Sequence, residues 1–455
     1  MKEIIEKIII DAKEAQKDLL TLDDKKINSM ILFIIKSILN SKLNKILSEM
    51  AVKETGFGNT EDKIKKNENK TLNLLNEILP IKINKPIYQE EKKLYKILKP
   101  IGVICGSTPS TNPVATTLNY FINSIKCKNS IIICPNIRTF NTVSYLINHI
   151  KKKLLEKKFN PNIISIVPKN ILRDESLIYL FNRTDKNFIT GNKQIINKVK
   201  KSTKPFLVFG TGNAIIIIEN SADLNLAASS IIESKSFDNS TSCSSDSVLL
   251  IEDKIYKKFI NRLSNKGLFK LNNKQKKKLD NIFFIKGTIN PKLIAKPAYF
   301  ILENLGVKNN DSKVIGYEIS SKNLDHYVFK EKLLPICAIV KVKNSLEALE
   351  LANNLTNKEG KGHSCGIYTE SEKFIDLAGK KMDVSRLIIN QPHSKSAGGS
   401  NNNYLNTTLS LGCGAWGESN IDHNLFYEDF CNKTLIVKKS DRNFLSLESL
   451  VSKYE

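Results

Sequence analysis

The sequence has no apolar run long enough to cross a membrane. Among its longest are residues 215–218 and 131–134, far short of the roughly 18 residues that a spanning helix needs. The first residues, MKEIIEKIIIDAKEAQ, place charges inside what would have to be an uninterrupted apolar stretch in a secretory signal. We therefore expect a cytoplasmic chain with no membrane partner.

The cysteines follow neither a zinc-binding spacing nor the pattern of a disulfide framework. Eight are spread over 455 residues, and without a secretion signal they predict free thiols in a reducing compartment and no metal site. Cys105 and Cys134 lie in apolar, strand-like runs, which is typical of small core residues. Cys243 lies in a polar loop and is therefore the cysteine to consider for reactivity.

Acidic residues are scarce relative to basic ones, 46 Asp and Glu against 70 Lys and Arg, which gives a formal net charge of +24. Nucleic-acid binding needs clustered cations. The basic runs at 151–158 and 276–278 instead lie on helix-like segments, and no aromatic residues interleave a basic patch. The lysine excess predicts a solvated surface whose positive field would help to collect small anionic ligands, and no nucleic-acid partner is expected.

The order of apolar patterns predicts an α/β protein. The first eighty residues have helical periodicity, and residues 86–103 indicate a projecting hairpin around the charged QEEKK. Strand-like and helix-like segments then alternate from about residue 99, and again from 213 to about 416, as in parallel sheets covered by helices. A last strand, TLIVK at 434–438, lies so far from this block that it could complete the sheet of another subunit.

The most informative segment is 205–252, which is predicted as a strand, a tight glycine turn, a strand, a helix, the loop with Cys243, and another strand. A thiol on such a loop can be exposed in a cleft, where backbone N–H groups could stabilise its thiolate. A loop cysteine can equally be incidental. The G-x-G-x-x-G pattern at 412–417 lacks the following helix of a phosphate-binding loop and indicates a packed turn.

Seven segments in the same order resemble the aldehyde dehydrogenase superfamily, and within it the coenzyme-A-acylating branch that includes acetaldehyde and sulfoacetaldehyde dehydrogenases. Together they extend over nearly the whole chain. They are ETGFGNTEDKIKKN (54–67), TPSTNP (108–113), FGTGN (209–213), SKSFDNSTSC (234–243), EKLLP (331–335), GHSCGIYT (362–369) and LSLGCGAWG (409–417).

The resemblance implies that Cys243 attacks an aldehyde to form a thiohemiacetal, which passes hydride to a nicotinamide and leaves a thioester. It also implies that the amide of Asn112 and the backbone N–H of Cys243 hold the oxyanion. By itself, Asn112 would be a turn residue before Pro113. Gly362 and His363 resemble a pair of the acylating branch, and a histidine with a near-neutral pKa could deprotonate the coenzyme A thiol. The alternative is a structural histidine.

Cofactor contacts are also implied by the resemblance. Glu331 matches the glutamate that holds the nicotinamide ribose hydroxyls. Thr190 and Gly191 resemble the turn at which the pyrophosphate meets a helix. The other residues expected to bind cofactor are Pro135, Asn136 and Arg138 near the adenosine ribose, and Gly210 and Gly212 in the FGTGN turn.

Phe209 stands where hydrolytic members carry the glutamate that activates water. Because phenylalanine cannot accept a proton, the resemblance implies thiolysis by coenzyme A rather than hydrolysis. Another carboxylate, such as Glu331, could take over the water, and a hydrolytic enzyme or a non-catalytic relative stays open.

The expected fold is an aldehyde dehydrogenase-like α/β architecture with three parts. A Rossmann-like cofactor domain comprises 1–84 and 103–212, a catalytic α/β domain 213–425, and a β oligomerisation arm 85–102 and 426–455. The expected ligands are NAD or NADP, coenzyme A as co-substrate and a short aldehyde, either of the sulfoacetaldehyde or of the acetaldehyde type. The expected assembly is a homodimer or homotetramer.

Overall fold

The computed structural model describes residues 1–83, 85–89, 93–172, 174–191, 193–285, 288–439 and 443–455. Its helices are α1 (Lys2–Leu20), α2 (Asp24–Ile38), α3 (Ser41–Thr55), α4 (Thr60–Ile78), α5 (Pro113–Lys126), α6 (Phe140–Glu156), α7 (Asp174–Arg183), α8 (Lys193–Val199), α9 (Leu224–Ser236), α10 (Asp253–Asn265), α11 (Asn273–Phe283), α12 (Ala298–Asn304), α13 (Ser345–Lys358), α14 (Glu372–Lys381), α15 (His393–Ser396) and α16 (Leu447–Tyr454).

The strands form two large parallel sheets and two small antiparallel ones. They are β1 (Ile87–Gln89), β2 (Leu94–Pro100), β3 (Val103–Thr108), β4 (Ser130–Pro135), β5 (Ile164–Ile166), β6 (Lys186–Thr190), β7 (Phe206–Phe209), β8 (Ala214–Ile218), β9 (Asp246–Glu252), β10 (Leu268–Lys270), β11 (Phe284–Ile285), β12 (Thr288–Ile289), β13 (Val314–Glu318), β14 (Ile336–Val342), β15 (Cys365–Tyr368), β16 (Leu387–Ile389) and β17 (Cys431–Val437).

The first eighty residues are helical, as their periodicity predicts. Side chains begin these helices: Asp23 accepts a hydrogen bond from the N–H of Lys26, and Asn59 from that of Asp62. Such caps satisfy amide groups that have no partner inside the helix. The apolar faces of α2 to α4 pack with α5 and α6 into one core with the sheet that follows.

The five-stranded sheet has the order β5-β4-β3-β6-β7, and its strand pairs are parallel. The chain leaves β3 towards one edge and returns to the other side of β3 with β6. This reversal is the switch point of a doubly wound sheet, and ligands bind outside the carboxyl ends of the strands there. The expected Rossmann-like arrangement is confirmed.

The seven-stranded sheet has the order β10-β13-β14-β9-β8-β15-β16 and is parallel too. Its central strands are buried on both faces, which explains why β8 reads as the continuous apolar run AIIII. In a parallel sheet all amino ends lie on the same edge. The loops that enter β8, β9, β14 and β15 are thereby brought together.

The strands of the expected arm form one antiparallel sheet in the order β1-β2-β17. The hairpin is present, with residues 90–92 of its charged tip outside the described residues. The last strand is expected to complete the sheet of another subunit. One edge of β17 instead pairs along its length with β2 of its own chain, so that part of the prediction is corrected. Its other edge has no strand in the part of the chain that the structure describes.

The three sets of strands lie between residues 103 and 209, 214 and 389, and in the arm segments 87–100 and 431–437. The domain boundaries given above stay a prediction. Among the described residues, no helix has both the length and the apolarity that a membrane span requires.

Candidate active site

The two large sheets meet at one cleft, to which they present opposite ends. β3, β4 and β6 contribute their carboxyl ends, while the loops before β9, β14 and β15 contribute the amino ends of the other sheet. A cavity of about 320 Å³ fills the junction, and we call it the central cavity. It includes eight of the predicted site residues, namely Asn112, Pro135, Asn136, Thr190, Gly191, Gly210, Cys243 and Glu331.

Cys243 is a free, partly exposed thiol on the loop before β9. Its Sγ lies 3.4 Å from Nε2 of His363. Burial, together with the charge of Glu331 and the neighbouring Cys413, raises the pKa of the Cys243 thiol to about 12. The expectation of a stabilised thiolate is therefore wrong, because burial disfavours the charged form of the sulfur and an ionised Glu331 would oppose a second negative charge beside it.

His363 is buried beside the thiol. Its Nδ1 lies 2.7 Å from Oγ of Ser364, and its backbone carbonyl accepts a hydrogen bond of 2.8 Å from Arg386. Burial, followed by the charges of Arg386 and His393, holds the pKa of His363 well below its usual value, so the prediction of a near-neutral pKa is wrong. The imidazole is neutral, and with Nδ1–H donated to Ser364, its Nε2 can accept a proton from Cys243.

Glu331 lies in the loop before β14 and lines the central cavity. Its Oε1 accepts a hydrogen bond of 3.4 Å from the N–H of Gly212. Burial and the nearby Glu359 raise the pKa of Glu331 to about 8, so the carboxyl group is mostly protonated at neutral pH. A ligand that donates hydrogen bonds here would favour ionisation.

Gly212 shows why the turn before β8 needs glycine. A Cβ atom on this residue would stand 2.5 Å from the carbonyl oxygen of Cys243 and 2.9 Å from Nε2 of His363. At Gly210 the nearest atom to such a Cβ, Cδ1 of Ile196, is 3.9 Å away. The turn therefore sets the position of the Cys243 loop by direct contact.

Asn112 immediately precedes α5, and its side chain is held by a lysine that the sequence analysis does not single out. Lys66 donates a hydrogen bond of 2.8 Å to Oδ1 of Asn112 and one of 2.6 Å to Oδ2 of Asp238. Lys63 also binds Asp238, at 3.0 Å. Lys63 and Lys66 are three residues apart in DKIKKN and so share one face of α4, but solvated helix faces have the same spacing, which by itself does not reveal the buried contact.

The carboxyl ends of β4 and β6 form the other wall. Thr190 Oγ1 lies 2.7 Å from the hydroxyl of Tyr120 and 2.8 Å from Oγ of Ser410. The N–H of Gly191 donates to the carbonyl of Phe209 at 3.3 Å. Arg138 lies on the exposed turn after β4, outside the lining of the central cavity.

Comparisons with known proteins identify the family. A profile of the Aldehyde dehydrogenase family matches residues 1–280. A sulfoacetaldehyde dehydrogenase from an Acholeplasma species is 30% identical over 93% of this chain and 89% of its own length. The chain belongs to the aldehyde dehydrogenase family. A succinate-semialdehyde dehydrogenase (acetylating) of Clostridium kluyveri is another relative of this aldehyde dehydrogenase, 31% identical over 100% of this chain and 98% of its own.

The fold of this aldehyde dehydrogenase also matches solved structures. An acetylating aldehyde dehydrogenase from Geobacillus thermoglucosidasius superposes with a TM-score of 0.91 at 28% identity, over 98% of each chain. The expected three-part α/β architecture and the resemblance to the acylating branch are confirmed.

A second cavity of about 330 Å³, which we call the polar cavity, adjoins the nucleophile of this aldehyde dehydrogenase from the other side. It shares Asn112 and Leu409 with the central cavity and includes Ser242, the residue before Cys243. Three lysines line it, Lys66, Lys70 and Lys395, together with the hydroxyl groups of Ser394, Ser396 and Ser400. The lining of the polar cavity thus comes within one residue of the nucleophile along the chain, and it is rich in cations and hydroxyl groups.

Phe209 ends β7 and is 2% exposed in the core of the five-stranded sheet. It pairs in register with Thr190. In this aldehyde dehydrogenase the position that the resemblance assigns to a water-activating glutamate is therefore a buried apolar side chain.

Proposed function

We propose that this aldehyde dehydrogenase is coenzyme-A-acylating and converts an aldehyde, coenzyme A and NAD(P)⁺ into an acyl-CoA and NAD(P)H. The observation that supports it best is the pair of Cys243 Sγ and His363 Nε2 at 3.4 Å, with Cys243 in the lining of the central cavity. The names of the relatives from Acholeplasma and Clostridium kluyveri agree with an aldehyde as substrate.

In the first half-reaction the Cys243 sulfur attacks the aldehyde carbon. Because burial raises the pKa of this thiol to about 12, the proton leaves as the bond to carbon forms, and Nε2 of His363 is placed to accept it. The amide of Asn112 lines the same cavity and can donate to the oxyanion. The product is a thiohemiacetal on Cys243.

The residues of the central cavity fit a nicotinamide dinucleotide. The cavity lies outside the carboxyl ends of β3 and β6, the switch point at which such cofactors bind. Gly191 offers a turn without a side chain there, and Glu331 offers an acceptor for ribose hydroxyls. A nicotinamide held by these residues would supply the hydride acceptor, and loss of hydride from the thiohemiacetal carbon would leave a thioester on Cys243.

In the second half-reaction the thiol of coenzyme A attacks the thioester carbon, forms the acyl-CoA and returns Cys243 with a proton. Hydrolysis would need a general base, which is typically worth about two to four orders of magnitude in rate. Phe209 cannot supply one. A coenzyme A thiol is intrinsically more nucleophilic than water, so thiolysis depends less on that base.

The test follows reduced cofactor and acyl product together, with and without coenzyme A. We expect steady acyl-CoA formation with coenzyme A and little turnover without it. Rapid release of free acid in the absence of coenzyme A would mean a hydrolytic enzyme, with Glu331 as the alternative base. Running both NAD⁺ and NADP⁺ in this assay decides the cofactor.

For the substrate, we propose a short aldehyde that carries a second, anionic group, as in sulfoacetaldehyde. The polar cavity places Lys395 near three serine residues, and sulfonates and carboxylates accept charge-assisted hydrogen bonds from such donors. Lys70 also lines this cavity, but its ammonium already donates to the backbone carbonyls of Lys395, Gly398 and Gly399. Lys395 forms an exposed ion pair with Glu233, so it can exchange partners without leaving a buried charge.

A substrate panel tests this assignment. Sulfoacetaldehyde should have a kcat/KM at least about tenfold above that of propionaldehyde, and Lys395→Met should reduce that ratio without lowering kcat for propionaldehyde. A preference for acetaldehyde or propionaldehyde would contradict the anionic substrate and leave the acylating chemistry intact.

We also propose a homodimer or homotetramer in the cytoplasm. β17 is an edge strand, and its side chains Leu435, Ile436 and Val437 are exposed. An apolar edge strand readily pairs with another chain. Deleting residues from Cys431 onwards should give inactive or aggregated protein in size-exclusion chromatography. A soluble, active, monomeric truncation would contradict the assembly.

A further inference from the structure

We propose that Lys66 is a positioning residue, which orients the side-chain amide of Asn112 so that its N–H groups are available to the oxyanion. The inference rests on the proposed function, because it presumes that Asn112 stabilises the oxyanion on the aldehyde carbon. Lys66 itself touches neither the sulfur of Cys243 nor a reacting atom in this proposal.

The contacts of Lys66 are short and buried. Its side chain is 8% exposed, and its Nζ donates 2.8 Å to Oδ1 of Asn112, 2.6 Å to Oδ2 of Asp238 and 3.3 Å to Oγ1 of Thr241. These three acceptors use all three N–H groups of the ammonium. The side chain is therefore fixed in one position between α4 and the two loops of the site.

The chemistry of an ammonium group decides which way the amide faces. Lys66 has donors and no acceptor, so Asn112 must present its oxygen to it and keep its two N–H groups for other partners. One of them donates to Oγ1 of Thr111 at 3.3 Å. The other is left for the oxyanion, and a hydrogen bond received at the amide oxygen makes that N–H a stronger donor.

Asp238 keeps Lys66 in place. The carboxylate is fully buried, and it also accepts from the N–H of Asn59 at 3.0 Å and from Oγ1 of Thr241 at 2.7 Å. Burial alone would raise the pKa of Asp238, but the charges of Lys66 and Lys63 outweigh it and hold the pKa below its usual value. The carboxylate of Asp238 is therefore held in its ionised form, as the acceptor for Lys66.

Lys63 provides a matched control. It lies on the same face of α4, is 6% exposed in its side chain, and donates to the same Oδ2 of Asp238 at 3.0 Å. Its other acceptor is the backbone carbonyl of Thr111, at 3.1 Å, rather than the amide of Asn112. Removing Lys63 disturbs the same carboxylate without freeing the amide to rotate.

The experiment is a pair of double-mutant cycles on kcat, with substrate, cofactor and coenzyme A saturating. Asn112→Ala should lower kcat by about 10²- to 10³-fold, the usual cost of removing an oxyanion donor. Lys66→Met should lower kcat by roughly tenfold in the unmodified chain and leave kcat unchanged when added to Asn112→Ala, since the residue acts through that amide. Lys63→Met should have the same, smaller effect in both backgrounds.

Loss of Lys66 could unfold the chain, because it removes one partner of a buried charge. In Asp238→Asn both Lys63 and Lys66 lose their carboxylate, so this variant is the reference for stability. Adding Lys66→Met removes one of the two unpaired charges, so the melting temperature should not fall further and the cofactor KM should stay near that of Asp238→Asn, with kcat still lowered. If Lys66→Met lowers kcat by the same factor in the unmodified chain and in the Asn112→Ala background, the positioning role is overturned. An Asn112→Ala variant of normal kcat would instead refute the oxyanion assignment in the proposed function.

Discussion

The two sheets contribute different kinds of groups to the same cleft. The carboxyl edge of the five-stranded sheet supplies backbone turns and small side chains, such as Thr190 and Gly191. The amino edge of the seven-stranded sheet supplies Cys243, Glu331 and His363, whose pKa values are all shifted by burial towards the neutral form. The five-stranded sheet thus offers a surface that fits a ligand by its shape. The seven-stranded sheet offers titratable side chains whose pKa values depend on the surroundings.

The difference teaches where substitutions should act. Changes on the side of the five-stranded sheet should affect cofactor affinity, while changes at Cys243 and at the turn that positions it should affect the chemical step. Glu331 faces the cofactor from the amino edge and should affect affinity through its protonation. Substitutions at Cys243, at Gly212 and at Glu331 separate these effects. A contrary result at any of these residues would show that the two sides of the cleft do not differ in this way.

The largest effect is expected at the nucleophile. Cys243→Ala should lower aldehyde oxidation by at least about three orders of magnitude, because no thiohemiacetal can form, while cofactor binding stays within about twofold. Steady-state rates and a cofactor titration measure the two. Cys105→Ala, which removes a buried strand thiol, is the control and should retain activity.

The same thiols can be compared by alkylation. Iodoacetamide should label Cys243 ahead of Cys105 and Cys134, which are buried, since reactivity requires access. Near-normal turnover in Cys243→Ala would show that Cys243 is not the nucleophile. Labelling of Cys105 or Cys134 before Cys243 would contradict the greater accessibility of the Cys243 thiol.

A smaller effect is expected from the glycine turn. Gly212→Ala places a Cβ 2.5 Å from the carbonyl of Cys243, so the loop must move, and a misplacement of about 1 Å can cost about 10²-fold in kcat. Gly210→Ala meets its nearest neighbour at 3.9 Å and should reduce kcat far less. Equal kcat losses in the two variants would show that the turn does not set the position of the thiol.

The smallest effect is a pH dependence of cofactor affinity. Burial and Glu359 raise the pKa of Glu331 to about 8, so the free carboxyl group is protonated below that pH and the ribose-binding carboxylate is not available. If only the carboxylate form binds, affinity should therefore rise by about 25-fold from pH 6.5 to 8.5, in proportion to the ionised fraction, and level off about one pH unit above the pKa. Glu331→Gln should bind cofactor with the same affinity at each pH in a calorimetric titration.

His363 should not contribute to this profile, because its pKa lies well below 6.5 and the imidazole is neutral throughout the range. A pH dependence that persists in Glu331→Gln would assign it to another group and take Glu331 out of the cofactor contact.

Periodicity predicts the fold well because it reports burial directly. The helices of the first eighty residues, the alternation of β3 to β7 with helices, and the hairpin all follow from apolar spacing. The strand β17 is also predicted, but its partner is not, since pairing between distant segments leaves no local pattern. The pairing with β2 appears only in the folded chain.

The resemblance predicts which residues line the site, but the sequence does not predict their pKa values. The resemblance points to Cys243 and Asn112, but no motif reveals how burial shifts the protonation of the thiol or of His363. The lysine excess predicts a solvated surface, and for Lys63 and Lys66 that prediction is wrong. Their partner, Asp238, lies about 170 residues away along the chain and starts a run of three residues with positive φ, so helix spacing alone cannot indicate an inward-facing charge.

The closure of β2 on β17 has a consequence for biosynthesis. Asn432 and Pro100, which meet in this sheet, are 332 residues apart. While a ribosome is still making the chain, the strands of both parallel sheets can emerge and fold, whereas the hairpin must wait with an open edge until the last strand is released. The arm therefore closes only after the strands of both parallel sheets have emerged, and a nascent chain that stalls before residue 431 exposes an edge that invites aggregation.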